Sequence, residues 1–86
     1  MTSKVILLSS AQRDFKALTE NIRGRIADAL RSLADFPEMR SGIKKMRPPF
    51  EGYRKRVGDY RILFDFNAES RVIFVHRIRD RKDAYR

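Results

Sequence analysis

Cysteine is absent from the 86 residues, which excludes a disulfide framework, a thiol nucleophile and a zinc knuckle. Histidine occurs once, as His76, so nearly every standard catalytic constellation is missing. The acids are scattered, with no paired carboxylates and no ligand-spaced cluster. That argues against a metal-dependent nuclease, and no cofactor is expected. No glycine-rich phosphate loop occurs either, and Gly58 is better explained by a turn. Long hydrophobic runs are lacking. The longest early one, Val5-Ile6-Leu7-Leu8, is too short for a signal-peptide core or a membrane span. The expectation is one soluble, cytoplasmic domain over residues 1–86. A chain of this length buries only roughly 60–65% of its unfolded surface, but six phenylalanines and 42% apolar residues suffice for a core.

Negative charge is scarce in one half only. Residues 1–39 hold six Lys/Arg and five Asp/Glu, a net of +1, whereas residues 40–86 hold fourteen and six, a net of +8. A localised positive field suits a polyanion, because each neutralised phosphate releases condensed counterions. Nucleic acid is the favoured partner class; the alternatives are a solvated basic surface and contact with an acidic protein.

The pattern along the chain is α+β: a strand, a helical hairpin, then antiparallel strands forming one twisted sheet with both helices on one face. Lys4-Val5-Ile6-Leu7-Leu8 reads as a strand too apolar on both sides for an exposed edge. Ser9 and Gln12 have capping-box spacing and open a helix. Ala11, Phe15 and Leu18 form one stripe; Ile22, Ile26, Ala29, Leu30 and Leu33 form a second. Thr19-Glu20-Asn21 is the expected joint, and Pro37 ends the second helix. Residues 38–49 read as a basic loop carrying Arg40, Lys44, Lys45 and Arg47. Gly58-Asp59 is a two-residue hairpin turn between Tyr53–Val57 and Tyr60–Phe66. Asn67-Ala68-Glu69-Ser70 turns the chain into a last strand over Val72–Arg79.

Alternation then sorts the side chains. Tyr53, Val57, Tyr60, Ile62, Phe64 and Phe66 share one face, and Arg54, Arg56, Arg61 and Leu63 the other. Placing Phe66 against Val72 adds Phe74, His76 and Ile78 to the aromatic face. It sends Ile73, Val75, Arg77 and Arg79 to the arginine face, with Arg81 following if the strand continues. The helices must cover the aromatic face. The open face then gathers arginines around a floor of Leu63, Ile73 and Val75, and His76 becomes a packed core histidine rather than a catalytic one. Like charges opposed across strands destabilise a sheet, so accepting Arg56 across from Arg61 points to a bound anion.

One reaction fits a site lined by arginines without metal: attack of an RNA 2′-hydroxyl on its own phosphate. The substrate supplies the nucleophile, and the protein supplies in-line geometry and stabilisation of charge on phosphorus. Guanidinium groups do the second through bidentate hydrogen bonds. Tyr85 is available to stack on an unstacked base.

The stretch Gly52-Tyr53-Arg54-Lys55-Arg56-Val57-Gly58-Asp59-Tyr60-Arg61-Ile62-Leu63-Phe64 resembles the central hairpin of the RelE/ParE toxin superfamily, and Arg81-Lys82-Asp83-Ala84-Tyr85-Arg86 resembles its closing motif. The similarity covers essentially the whole chain. It implies the toxin of a type II toxin–antitoxin module: a metal-independent endoribonuclease cutting mRNA in the A site of the 70S ribosome, neutralised by an acidic, RelB-like antitoxin. The alternatives are a ParE-like poison of DNA gyrase and a non-catalytic RNA-binding domain. By resemblance, Arg61 stabilises the scissile phosphate, Arg81 protonates the leaving 5′-oxygen or stabilises its charge, and Tyr85 stacks on a base. Arg54 and Arg56 stand where well-studied members carry lysines, one a proposed general base; an arginine with pKa above about 12 is a poor proton acceptor. The histidine frequent before the terminal arginine is Asp80 here. Lys44, Lys45, Arg47 and Lys55, with Arg77, Arg79 and Lys82, are the remaining candidate RNA-binding cations. Lys55 should point away from its arginine neighbours.

Overall fold

The computed structural model describes residues 2–49 and 51–81. Strand β1 (Lys4–Leu7) leads into helices α1 (Ser9–Lys16) and α2 (Glu20–Ser32). A 3-10 turn (Leu33–Asp35) follows, then β2 (Ile43–Lys45), β3 (Tyr53–Val57), β4 (Tyr60–Asn67) and β5 (Val72–Asp80). The five strands make one sheet in the order β1-β5-β4-β3-β2.

The aromatic face lies under the helices, as alternation requires. Ile62, Phe64, Ile73, Val75 and Ile78 join Ala11, Ile26, Ala29, Leu30, Leu33 and Phe36 in one buried cluster, with Tyr53, Val57, Tyr60 and Phe66 packed against it. Phe36 is its hub: its ring meets Tyr53, Phe64 and Phe66 edge-on at 4.9, 5.3 and 5.2 Å. Edge-to-face pairing adds to the area that these rings bury. Phe36 is extended at φ −74°, ψ 142°, the geometry that Pro37 imposes on the residue before it.

Several expectations need correction. The 38–49 segment is not all loop: Ile43–Lys45 pairs antiparallel with β3, placing Lys44 beside Arg54. Strand β1 is an edge strand after all, parallel to β5 from Lys4↔Val72 to Leu7↔Val75. It tolerates the edge because Val5 and Leu7 pack on the core and the buried Ser3 hydroxyl donates to the Phe36 carbonyl at 2.6 Å. Helix α1 is capped at Leu8 without a side-chain bond, not at Ser9. Gln12 reaches back instead, its Nε2 donating to the Leu7 carbonyl at 2.9 Å.

The largest correction is the register of β5. Phe66 lies opposite Ile73, not Val72, because Arg71 takes a positive φ of 54° and shortens the turn, so that Asn67 faces Val72. Ile73 and Val75 are therefore fully buried rather than a floor for the open face. A β-bulge then restores the other parity: Phe64 faces Val75 but Leu63 faces Arg77, leaving His76 as the extra residue. Such a bulge re-aims every side chain beyond it. Arg77 and Arg79 thus return to the open face and Ile78 to the core, while His76 is exposed there rather than packed under the helices.

Candidate nucleic-acid interface

Two cross-strand rows organise the open face. Arg56, Arg61 and Arg79 lie side by side on β3, β4 and β5; next to them run Lys44, Arg54, Leu63 and Arg77 from β2 to β5. Three arginines abreast concentrate positive charge on one stretch of the open face, which suits an anion. Lys44, Arg54, Arg56 and Arg61, with Gly42 and Ile43, line a cleft of about 260 Å³, with room for a phosphate group. The Arg56 guanidinium lies 3.5 Å from the Gly58 carbonyl, too long to hold it firmly.

The hairpin tip sets the end of the array. Gly58 has φ +59°, as the first position of a tight hairpin turn demands. The Asp59 carbonyl accepts the Arg81 N–H at 2.6 Å. That bond carries the strand pairing one residue past β5 and brings Arg81 to the tip, at the end of the arginine row.

Not every predicted cation joins. The Arg77 guanidinium is held at the sheet edge by Asp14 of α1, with Nε 2.8 Å from Oδ2, and the same oxygen accepts the Ile78 N–H at 2.9 Å. Burial works against the charge on Asp14, but the hydrogen bonds from Arg77 and Ile78 outweigh it and hold the carboxyl below its ordinary range. Lys55 stands on the helix side, its Nζ donating to the Ser41 carbonyl at 3.1 Å. Arg40 is stacked over Phe36 at 5.1 Å. Lys45 and Arg47 are exposed on β2 and the loop after it, outside the cleft. Lys82 and Tyr85 lie outside the described residues.

Alternation put His76 on the wrong face, and Asp65, which it places beside Leu63, was not among the site candidates. Both stand on the open face, with Nε2 of His76 2.5 Å from Oδ2 of Asp65. The signal was present: Ile73, Val75 and Ile78 space the buried positions by two and then by three, the mark of a bulge. The floor of the open face is Leu63, Phe74 and Ile6, half-buried and outside the core cluster. Among the described residues no group of three or more metal-ligating side chains converges.

A family model described as the ParE toxin of the type II toxin–antitoxin system parDE matches residues 5–85. The chain belongs to this toxin family. Solved RelE structures share its fold. The RelBE2 toxin–antitoxin complex of Mycobacterium tuberculosis is 22% identical with a TM-score of 0.83, covering 93% of this chain and 99% of that one. The RelB–RelE antitoxin–toxin complex of Methanococcus jannaschii is 26% identical with a TM-score of 0.74, covering 93% and 94%. A double arginine mutant of the E. coli toxin RelE in the free state is 17% identical with a TM-score of 0.78, covering 99% and 90%. No curated protein matches the chain. Against the family's closing motif, the toxin's described portion ends at Arg81.

Proposed function

We propose that this toxin is a metal-independent endoribonuclease that cuts mRNA on the ribosome, in the cytoplasm, and is held inactive by an acidic antitoxin. The observation that supports it is the Arg56–Arg61–Arg79 row beside the cleft rimmed by Lys44 and Arg54. In the reaction the 2′-hydroxyl gives its proton to water and its oxygen bonds to phosphorus as the bond to the 5′-oxygen breaks, and that oxygen takes up a proton, leaving a 2′,3′-cyclic phosphate and a 5′-hydroxyl. Arg61, central in the row, stabilises the added charge on the phosphoryl oxygens. Arg81 serves the leaving oxygen, and Tyr85 stacks on a base. Arg54 and Arg56 stay protonated at neutral pH and contribute charge and hydrogen bonds rather than proton abstraction. His76 stands three residues from Arg79, about 10 Å along the strand, outside direct reach of the same phosphate. RelB partners in the solved RelE complexes support an antitoxin for this chain.

The match to the ParE model supports a second reading, a poison of DNA gyrase. Inducing the toxin while mapping mRNA 5′ ends and DNA supercoiling separates the two. New mRNA ends phased to codons, with normal supercoiling, are expected. Gyrase-linked DNA breaks with intact mRNA would replace this reading by the second, and neither effect would leave a non-catalytic binding domain.

A further inference from the structure

The arginine rows leave one part of the open face without a task. Asp65 lies two residues beyond Leu63 on β4, its carboxylate against the His76 ring, with side chains 49% and 45% exposed. The site is shaped for that carboxylate. Gly52, at φ +97°, faces it across the strands; a Cβ there would run into the Asp65 side chain and stand 2.7 Å from the Phe64 carbonyl oxygen. Phe74 is the cross-strand partner of Asp65, half-buried and apart from the core.

A carboxylate on a face that otherwise attracts a polyanion repels phosphate, so an RNA backbone held by the arginines must turn its bases, not its phosphates, toward this end. The groups present suit a base. His76 and Phe74 offer stacking surfaces, and single-stranded RNA is read by stacking together with hydrogen bonds to base edges. A carboxylate has about four acceptor sites, of which His76 uses one. Amino groups of adenine, cytosine and guanine can donate to the rest. Uracil carries carbonyl oxygens on both sides of its single ring N–H, and those oxygens meet the carboxylate unfavourably.

We infer that Asp65, His76 and Phe74 form a nucleobase subsite next to the phosphate-binding row, and that it accepts bases bearing an exocyclic amino group and disfavours uracil. This rests on the RNA reading above. It goes beyond that reading by giving the face a sequence preference, with His76 orienting the carboxylate and Gly52 making room for it.

The test is fluorescence anisotropy with the full chain and single-stranded hexanucleotides A6, C6 and U6, all 2′-O-methylated to block cleavage. Wild type should bind A6 and C6 about tenfold more tightly than U6. Asp65→Asn, whose amide can donate as well as accept, should close most of that gap by strengthening U6. Phe74→Leu keeps an apolar side chain but removes the stacking surface, and should weaken A6 and C6 about tenfold with little change for U6; it decides the matter if Asp65→Asn fails to fold. Equal binding of all three oligomers, or a gap that a folded variant leaves intact, overturns the subsite while the RNA reading stands. No RNA binding by wild type at low salt overturns both.

Discussion

At the scale of single residues, position in the rows separates side chains that serve a ligand from those that serve the fold. Arg61 has an arginine on either side, Arg56 and Arg79, and stands where a phosphate meets the most positive charge. Arg61→Ala should lower mRNA cleavage by about 10²–10³ while still folding cooperatively; near-normal cutting by the folded variant would refute its role. Asp14 is the contrasting case. Its carboxylate joins α1 to β5 through Arg77 and Ile78, and hydrogen bonds to a charged group contribute about 1.5–3 kcal/mol, less here because Arg77 is partly exposed. Asp14→Asn should therefore cost about 1–2 kcal/mol in urea denaturation at pH 7. The folded carboxyl titrates below the ordinary 3.8, so this contribution is complete above that value and fades as pH falls through the lowered one. The stability gap between wild type and Asp14→Asn should stay constant from pH 7 to about 5 and narrow below about 4; a gap independent of pH would show that charge is not its source. The Asp14–Arg77 tie could not be read from the sequence, because it joins a helix to a strand whose mutual placement depends on the assembled fold.

At the scale of elements, the helical stripes, the turn at Gly58-Asp59 and the β3–β4 pairing were all legible, since periodicity and turn chemistry act locally. The β5 register was not. It depends on Arg71 adopting a positive φ, with its guanidinium 2.6 Å from Glu38, a partner on a distant segment. Two misreadings cancelled in part. The one-residue offset put Ile73 and Val75 on the wrong face, and the bulge at His76 corrected Arg77, Ile78 and Arg79. This gives a sharp test. His76→Ala keeps the bulge and should retain the fold. Deleting His76 removes it and leaves Val75, Arg77, Ile78 and Arg79 in plain alternation with Ile78 still inward, and should also retain cooperative unfolding. A deletion variant that loses cooperative unfolding while His76→Ala keeps it would show that His76 is not merely an extra residue in the pairing.

For the whole molecule, the charge asymmetry seen in composition becomes a surface with one cationic region on the open sheet face. Binding of single-stranded RNA should weaken with salt at a log–log slope of about −0.7 per phosphate contacted. Removing Arg56 should reduce that slope by about 0.7, measured as anisotropy from 50 to 200 mM salt. Charge reversal at Arg54 and Arg56 together should weaken RNA and the cognate antitoxin alike if both use this face. Full antitoxin affinity in a variant that has lost RNA would locate inhibition elsewhere, on the helical hairpin. Arg77 is unsuitable for that experiment, because reversing it would also break the tie to Asp14.

The parallel pairing of β1 with β5 also governs how the protein comes into being. Lys4 finds its partner at Val72, so the first strand made must wait for the last before the sheet can close. Such long-range pairing slows folding. It also means that a chain still being synthesised holds β1, α1 and α2 without the strand that joins them. The arginine row, which needs Arg79 as well as Arg56 and Arg61, is assembled only at that same late step. Whatever the finished surface binds, a nascent or truncated chain ending before β5 presents neither the five-stranded sheet nor the full row, so activity and completion of synthesis arrive together.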